Sequence, residues 1–305
     1  MPRTVEITVP PERRDAFLDR LEQADGIVSI LIFPGASHKP PGDLVVVRGN
    51  NQAAETVTGI AAEFELLPGG ALTTTEPLGL VAGEQRKKIS SDSSESTWEE
   101  MDTMLRRDSN PSHNFLALMA LAGAVAGAGL SLDVLHIVIG AMLIAPGFEP
   151  LVRIAVGAAS GLGDTAWRGI ASTAASYLLL AIGAAVGMLV TVWVDPSLDT
   201  ASIAEQSWVQ YWTSFKWTGV LIAVLAGLAG AVVVNSHQTV FATGVMIALA
   251  LIPSMAIFGM GLALGEIELA LRGLGRWGVD VICVVGASLA TFAIKRRLVG
   301  RGGHP

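Results

Sequence analysis

The chain changes character once along its length. Up to about residue 75, apolar positions follow the periods of soluble strands and helices; beyond residue 113 they merge into long, nearly uncharged runs. Residues 4–9 (TVEITV) alternate and predict a strand, which Pro10-Pro11 stop. Over 12–24, Phe17, Leu18 and Leu21 share one helical stripe, and Gly26 ends it. Residues 27–33 (IVSILIF) and 43–48 (DLVVVR) read as strands on either side of a turn-rich loop at 34–42 (PGASHKPPG). Asn50 can cap a short helix over 51–61, and 63–75 can supply a last strand. The order βαββαβ predicts a small ferredoxin-like sandwich over residues 1–80, an α+β domain.

A helix needs about 20 mainly apolar residues to cross a bilayer. Six stretches qualify, at about 115–131, 133–160, 168–194, 216–235, 238–264 and 278–295, the second long enough to be broken or tilted. They predict an all-α membrane domain of six transmembrane helices over 114–305. Residues 81–113 read as a charged, serine-rich linker and a short amphipathic helix. In it Thr97 and Glu100 form a capping box, and Trp98, Met101 and Leu105 share a face ahead of Arg106-Arg107. That helix either lies on the membrane surface, arginines toward anionic lipid, or packs on the sandwich as a connector.

Residues 1–113 carry 18 acidic and 11 basic side chains; the remaining 192 residues carry nine of each. A net-acidic soluble part is a poor match for nucleic acid, where affinity comes from Lys and Arg on phosphates, so no nucleic-acid partner is expected. One cysteine, Cys283, excludes an intrachain disulfide framework and a cysteine metal cluster; no metal or other cofactor is expected. The charged first twenty residues do not read as a cleavable signal. Lys and Arg gather before the first span, between spans two and three (Arg168), and after the sixth (Lys295, Arg296, Arg297), whereas 195–215 holds acids only. The N- and C-termini are therefore expected in the cytoplasm, with Arg272 and Arg276 a mild violation on the outer side.

A shift of 104 residues superimposes Leu121-Ala122-Gly123 on Leu225-Ala226-Gly227, Gly157 and Gly161 on Gly261 and Gly265, and Arg168-Gly169 on Arg272-Gly273, with 11 identities in 49 positions. Spans 1–3 (about 115–194) then recur as spans 4–6 (about 216–298), in opposite orientation because three is odd. Such a 3+3 inverted repeat is a transporter architecture, and it makes Arg272 the copy of Arg168. The first copy is interrupted by Pro146-Gly147-Phe148-Glu149-Pro150 and the second by Pro253, so helices two and five are expected to be broken. Gly123-Gly127, Gly157-Gly161 and Gly261-Gly265 have the spacing of close helix contacts.

Glu149 and Arg153 lie four apart in span two, acid first, and on a helix they can pair. An unpaired charge at mid-bilayer costs at least about 2.5–3.5 kcal/mol. These two are the leading candidates for substrate or ion recognition, with Pro146, Pro150, Pro253 and Ser254 shaping the break. The alternatives are a buried ion pair that fixes packing, or an Arg153 that snorkels to the interface. Asp133 reads as a cap, and His136 as either a titrating site residue or a satisfied buried histidine. Asn235, Ser236, His237 and Gln238 read as caps at the matching turn, and Asp280 as a cap of span six. Trp193, Trp208, Tyr211, Trp212, Trp217 and Trp277 fall near span ends, as interfacial aromatics do. In the soluble part, His38 and Lys39 are candidates for an anion or effector site, against a plain solvated hairpin loop. No Gly-Lys-Ser/Thr is present, so a nucleotide loop is excluded.

The run Ile139-Gly140-Ala141-Met142-Leu143-Ile144-Ala145-Pro146, with a second proline at Pro150, resembles the first signature of a hydrophobic prokaryotic membrane-protein family, domain of unknown function 389. Residues 244–265 are similar to its second signature, and Glu76-Pro77 to the end of its soluble part. The family's usual Pro-Leu-Met-x-Pro is Pro146-Gly147-Phe148-Glu149-Pro150 here, and its usual Pro-Pro is Pro253-Ser254. Gly147, Phe148 and Ser254 depart from the family pattern, and the acid at the break is expected to be particular to this branch. The resemblance implies a prokaryotic plasma (inner) membrane and a soluble-plus-membrane layout, with no established activity.

These features point to a multi-pass transporter or channel-like protein for a small solute or ion, with a cytosolic regulatory domain. The alternative is a non-transporting receptor or scaffold whose soluble domain binds an effector and whose membrane part oligomerises. Membrane lipid and a homo-oligomer are expected partners. No nucleophile–base pair or metal-ligand spacing speaks for an enzyme.

Overall fold

A computed structural model describes residues 3–66, 70–75, 98–236 and 250–299. The chain divides into two compact units, residues 1–97 and 98–305.

The first unit runs β1 (Arg3–Val9), α1 (Pro11–Glu22), β2 (Ile27–His38), β3 (Pro41–Gly49), α2 (Asn51–Glu63) and β4 (Leu72–Thr75). Its four strands form one antiparallel sheet in the order β2-β3-β1-β4. The alternation of β1 sends Val5, Ile7 and Val9 inward, where they are buried with Val45 and Val47 of β3 and Phe17, Leu21 and Val57 of the helices. At the start of α2 the Asn50 side chain accepts from the Ala53 N–H at 2.9 Å. The expected loop at 34–42 is instead mostly strand. β2 runs on to His38 and pairs with β3 across an irregularity between Phe33 and Ser37. There Gly35 takes a left-handed φ of +64° and its N–H donates to Asp43 Oδ1 at 2.7 Å, which lets the ladder resume. His38 and Lys39 are left exposed at the hairpin tip. The last strand is shorter than expected: α2 continues to Glu63, and β4 begins only at Leu72. Glu76-Pro77 and the linker with its Thr97 cap lie outside the described residues.

The second unit runs α3 (Trp98–Ser109), α4 (His113–Ser131), α5 (Leu135–Ile144), α6 (Glu149–Ser160), α7 (Gly163–Val194), a 3-10 turn (Thr200–Glu205), α8 (Ser207–Thr213), α9 (Trp217–Asn235), α10 (Leu251–Leu264) and α11 (Ile267–Val299). Among the described residues, α4, α7, α9 and α11 are each long and apolar enough to cross a membrane, and α5 with α6 makes a fifth if the pair, bent by 46°, is one span. α10 has 14 residues, and the expected start of its span at 238 lies outside the described residues. The amphipathic face of α3 buries Met101 and Leu105 in the core of this unit, and α3 packs on α6 and α7.

The helices of this unit recur along the chain. α4 and α9 start at His113 and Trp217, and α7 and α11 at Gly163 and Ile267, each pair 104 residues apart. Contacts recur on the same spacing. Gly157 abuts the backbone of Ala166, and Gly261 that of Ala270; Gly169 lies against Pro150 O, and Gly273 against Ser254 O. Arg168 pairs with Asp164, and Arg272 with Glu268. Packing is exchanged between the halves: α6 touches α7 and α11, while α10 touches α11 and α7. Gly161 and Gly265 end α6 and α10 in the left-handed conformation, at φ +81° and +76°. They are helix caps, which corrects the expectation that each is half of a packing motif.

The Gly123-Gly127 motif does bring helices together. Both residues meet carbonyls of α7, at Leu180 and Ala184, while Gly183 and Gly187 of α7 meet carbonyls of α4, at Ala120 and Ala124. A backbone carbonyl cannot rotate out of the way of an added methyl. Gly127→Ala is therefore expected to destabilise the detergent-solubilised protein by about 1–3 kcal/mol in thermal melting. Gly286→Ala, where nothing lies within 4 Å of the new methyl, is expected to leave the melting temperature unchanged.

Candidate functional site

The site starts from the break between α5 and α6. α5 stops at Ile144, Ala145 is extended, and α6 begins at Glu149 with Pro150 in its first turn. A proline there removes an N–H that has no helical partner in any case. Pro150 and, in the first turn of α10, Pro253 therefore start helices; the interruption itself is 145–148. Tyr177 on α7 donates its hydroxyl to the Gly147 carbonyl at 3.1 Å, satisfying a group the break leaves free. Gly147 leaves room for that hydroxyl, and the fully buried Phe148 ring fills the space that Gly230 of α9 leaves open.

These anchors set Glu149 in the wall of a cavity of about 310 Å³, with Pro146, Phe148, Asn110 and Ser112. Its Oε2 is buried and accepts no hydrogen bond. Arg107, at the mouth, bonds Asp108 at 2.8 Å, and that hydrogen bond and charge hold the guanidinium above the ordinary arginine value.

Arg153 and Glu149 do not pair, which corrects one reading of their spacing. Arg153 is 1% exposed and donates from Nη1 to Ser109 Oγ at 3.2 Å and Asn110 Oδ1 at 3.1 Å. These residues end α3, where the last carbonyls and the helix dipole favour a cation. Ser172 adds a hydrogen bond to the Ser109 carbonyl, and Arg106 reaches both Asp102 and Thr165 at 2.7 and 2.8 Å. Arg153 thus pins α3 and does not line the cavity at Glu149. The sequence spacing gave the shared face; the competing partner lay forty residues upstream.

The other candidates separate. Pro146 is in the cavity wall. Ser254 is buried and donates to the Trp212 carbonyl at 3.4 Å, tying α10 to α8. His136 is exposed on the first turn of α5, so it is not a buried histidine. Asp133 does cap a helix, though α8 and not its own, accepting from Trp208 N at 3.1 Å beside a 2.8 Å bond from Gln206 to Ser131 O. Asn235 accepts from Lys295 and Ser236 closes α9, while His237 and Gln238 lie outside the described residues. Asp280 is not a cap. α11 begins at Ile267, so Asp280 sits in mid-helix, fully buried and 3.0 Å from Arg276. The two are close in distance, yet neither carboxylate oxygen receives a well-angled hydrogen bond. Trp277 is not an interfacial ring: it packs on Tyr177 with centroids 5.2 Å apart. Among the described residues no group of three His, Cys, Asp or Glu side chains could hold a metal.

A second cavity, of about 370 Å³, is lined by Trp208, Tyr211, Trp212, Lys216, Gly219 and Arg276, with parts of α5. Its wall repeats that of the first at the 104-residue spacing: Arg107 and Tyr211, Asn110 and Ser214, Ser112 and Lys216, Leu118 and Ile222, Pro146 and Ala250. The first cavity lies where α3 meets the start of α4. The second lies beside α8, which Ser131 and Asp133 tether to the far end of α4, about 28 Å away at the helical rise. α9 starts in the second cavity, at Lys216 and Gly219, and ends in the first, at Val233 and Val234, so it runs against α4. Sequence reasoning missed this cavity; extending the 104-residue shift back to residues 104–118 would have found it.

Residues 142–286 match the family described as Domain of unknown function (DUF389). That is the family the two proline-bearing motifs resemble, and the match takes in the break, α6, α10 and half of α11. The chain is also 26% identical over 195 residues to an uncharacterized protein of Methanocaldococcus jannaschii, an alignment covering 64% of this chain and 58% of that protein. It thus spans less than two thirds of the relative's length. No solved structure matches the chain.

Arg153→Met is expected to cost about 1.5–3 kcal/mol, the range for a hydrogen bond to a charged group, and to raise amide exchange over residues 98–110. Glu149→Gln, at an atom with no partner to lose, is expected to leave the melting temperature within a degree or two of the parent. Hydrogen exchange and thermal melting on the detergent-purified protein check both.

Proposed function

We propose that the chain is a multi-pass inner-membrane transporter or channel-like protein for a small solute or ion, with a regulatory ferredoxin-like domain over residues 1–80. In this reading residues 81–113 link that domain to six spans, 238–264 being the fifth, arranged as a 3+3 inverted repeat with both termini cytoplasmic. The α3 end then faces the cytoplasm and the α8 end the outside. The observation that carries the reading is the pair of cavities, one at each end, built from residues 104 apart. Helices α4 and α9 running in opposite directions, and the exchanged packing of α6 and α10, support an inverted pair of halves. Glu149, at the floor of the α3-end cavity, is the ion or proton site; Arg153 holds the helix that roofs it. No enzymatic step, cofactor or nucleic acid enters the reading, and lipid is the surrounding partner.

A receptor or scaffold is the second reading, and one observation favours it. β2 is an edge strand, and its Leu31, Ile32 and Phe33 are exposed at 37%, 41% and 47%. An apolar open edge is a surface for self-association and supports the homo-oligomer.

Single cysteines at 146–154 and 250–258 in a Cys283→Ala background decide between them. Under the transport reading, a membrane-impermeant thiol reagent labels positions around Glu149 from one side and positions around 250–254 from the other, with a balance that shifts with conditions. Uniform protection from both sides would contradict it and leave the scaffold.

A further inference from the structure

We propose that the cavity at the α8 end binds a small organic anion, a carboxylate carried on an apolar or aromatic body. Two cations, Lys216 and Arg276, line it, and among the described residues no acidic side chain does. Arg276 pairs with Asp280 at 3.0 Å through Nη2, which leaves Nη1 of the guanidinium for a ligand. Gly219 makes room for the guanidinium: a Cβ there would lie 2.6 Å from both terminal nitrogens. Lys216 is exposed and stands 5.7 Å from the Tyr211 ring centre. Trp208, Tyr211 and Trp212 form a three-ring wall with centroids 5.5–5.8 Å apart. A volume of about 370 Å³ suits a small molecule, and its wall offers charge-assisted donors on one side and flat apolar surface on the other.

The cations do not serve the frame. The positions 104 residues earlier than Lys216 and Arg276 are Ser112 and Ser172, neither of them charged. The α3-end cavity has the opposite balance, with Asp108 and Glu149 against Arg107. The two ends share a frame and differ in sign. As the substrate of a transporter, the anion rests on the reading above; as a bound ligand, it rests on this cavity alone.

Equilibrium dialysis of radiolabelled benzoate against the full chain, purified in neutral detergent, tests the site. The expected result is saturable binding of one benzoate per chain, weak competition by acetate and none by benzylammonium. Lys216→Gln is expected to weaken binding about tenfold, the loss of one charge-assisted contact, and Lys216→Arg to retain it. Because Arg276→Gln alone strands a buried acid, the double variant Arg276→Gln/Asp280→Asn is used; it is expected to abolish binding. Arg20→Gln, on the first unit, is expected to change nothing. Absence of saturable binding by monodisperse, helical protein would overturn the proposal, as would equal competition by benzylammonium or an unchanged Lys216→Gln. Displacement by phosphatidylglycerol but not by acetate would overturn it in favour of a lipid. Benzoate binding without the side-dependent cysteine labelling would keep the site and remove transport; labelling without binding would do the reverse.

Discussion

A broken helix in a bilayer has to satisfy its freed backbone from within the protein, because hydrocarbon offers no hydrogen bonds. Everything around residues 145–148 follows from that constraint. Tyr177 supplies a donor to Gly147, which must be glycine to admit the hydroxyl, and Phe148 plugs the adjoining space against Gly230. With these two successive positions fixed, the first residue of α6 is carried into a cavity wall. Glu149 is therefore set in the wall of that cavity by the anchoring of its neighbours, and its Oε2 receives no hydrogen bond there.

The second half shows how much of this is frame. Glycine contacts, left-handed caps and surface ion pairs recur at 104 residues, whereas the buried charges do not. Glu149 and Arg153 stand where the other half has Pro253 and Ile257; Arg276 and Asp280 stand where it has Ser172 and Ser176. Burying a charge costs free energy that an apolar or hydroxyl side chain does not, and the equivalent positions show that packing can do without it. The charges stand at positions whose counterparts 104 residues away are uncharged, the situation expected of groups kept for binding. Arg153 is the exception, since its hydrogen bonds hold the end of α3.

Much of this was legible in the sequence. Period-two alternation gave β1 and β3, the proline cluster gave the break, and the 104-residue shift gave the matching helix starts. Failures came where a distant partner overrode a local signal. Residues 34–42 look like a loop because Gly35 and the prolines punctuate them, yet Asp43 and the pairing with β3 extend the strand. Asp280 looks like a cap only if α11 starts near 278; helical pairs Glu268–Arg272 and Arg276–Asp280 carry it back to 267. The Glu149–Arg153 spacing permits a pair, and nothing local reveals that Ser109 and Asn110 take the arginine. The anion cavity was invisible for the same reason, since α5, α8, α9 and α11 all contribute to it.

If the two halves are an inverted pair, the cavities at the two ends of the second unit open in turn. Spin-label distances test it most directly. One pair, at Arg107 and Val233, spans the α3-end cavity; another, at Thr218 and Ile139, spans the α8-end cavity, each in a Cys283→Ala background in lipid nanodiscs. Two populations are expected in each pair, with one distance lengthening as the other shortens when benzoate or pH is varied. A single unchanging distance for both pairs under all conditions would contradict it.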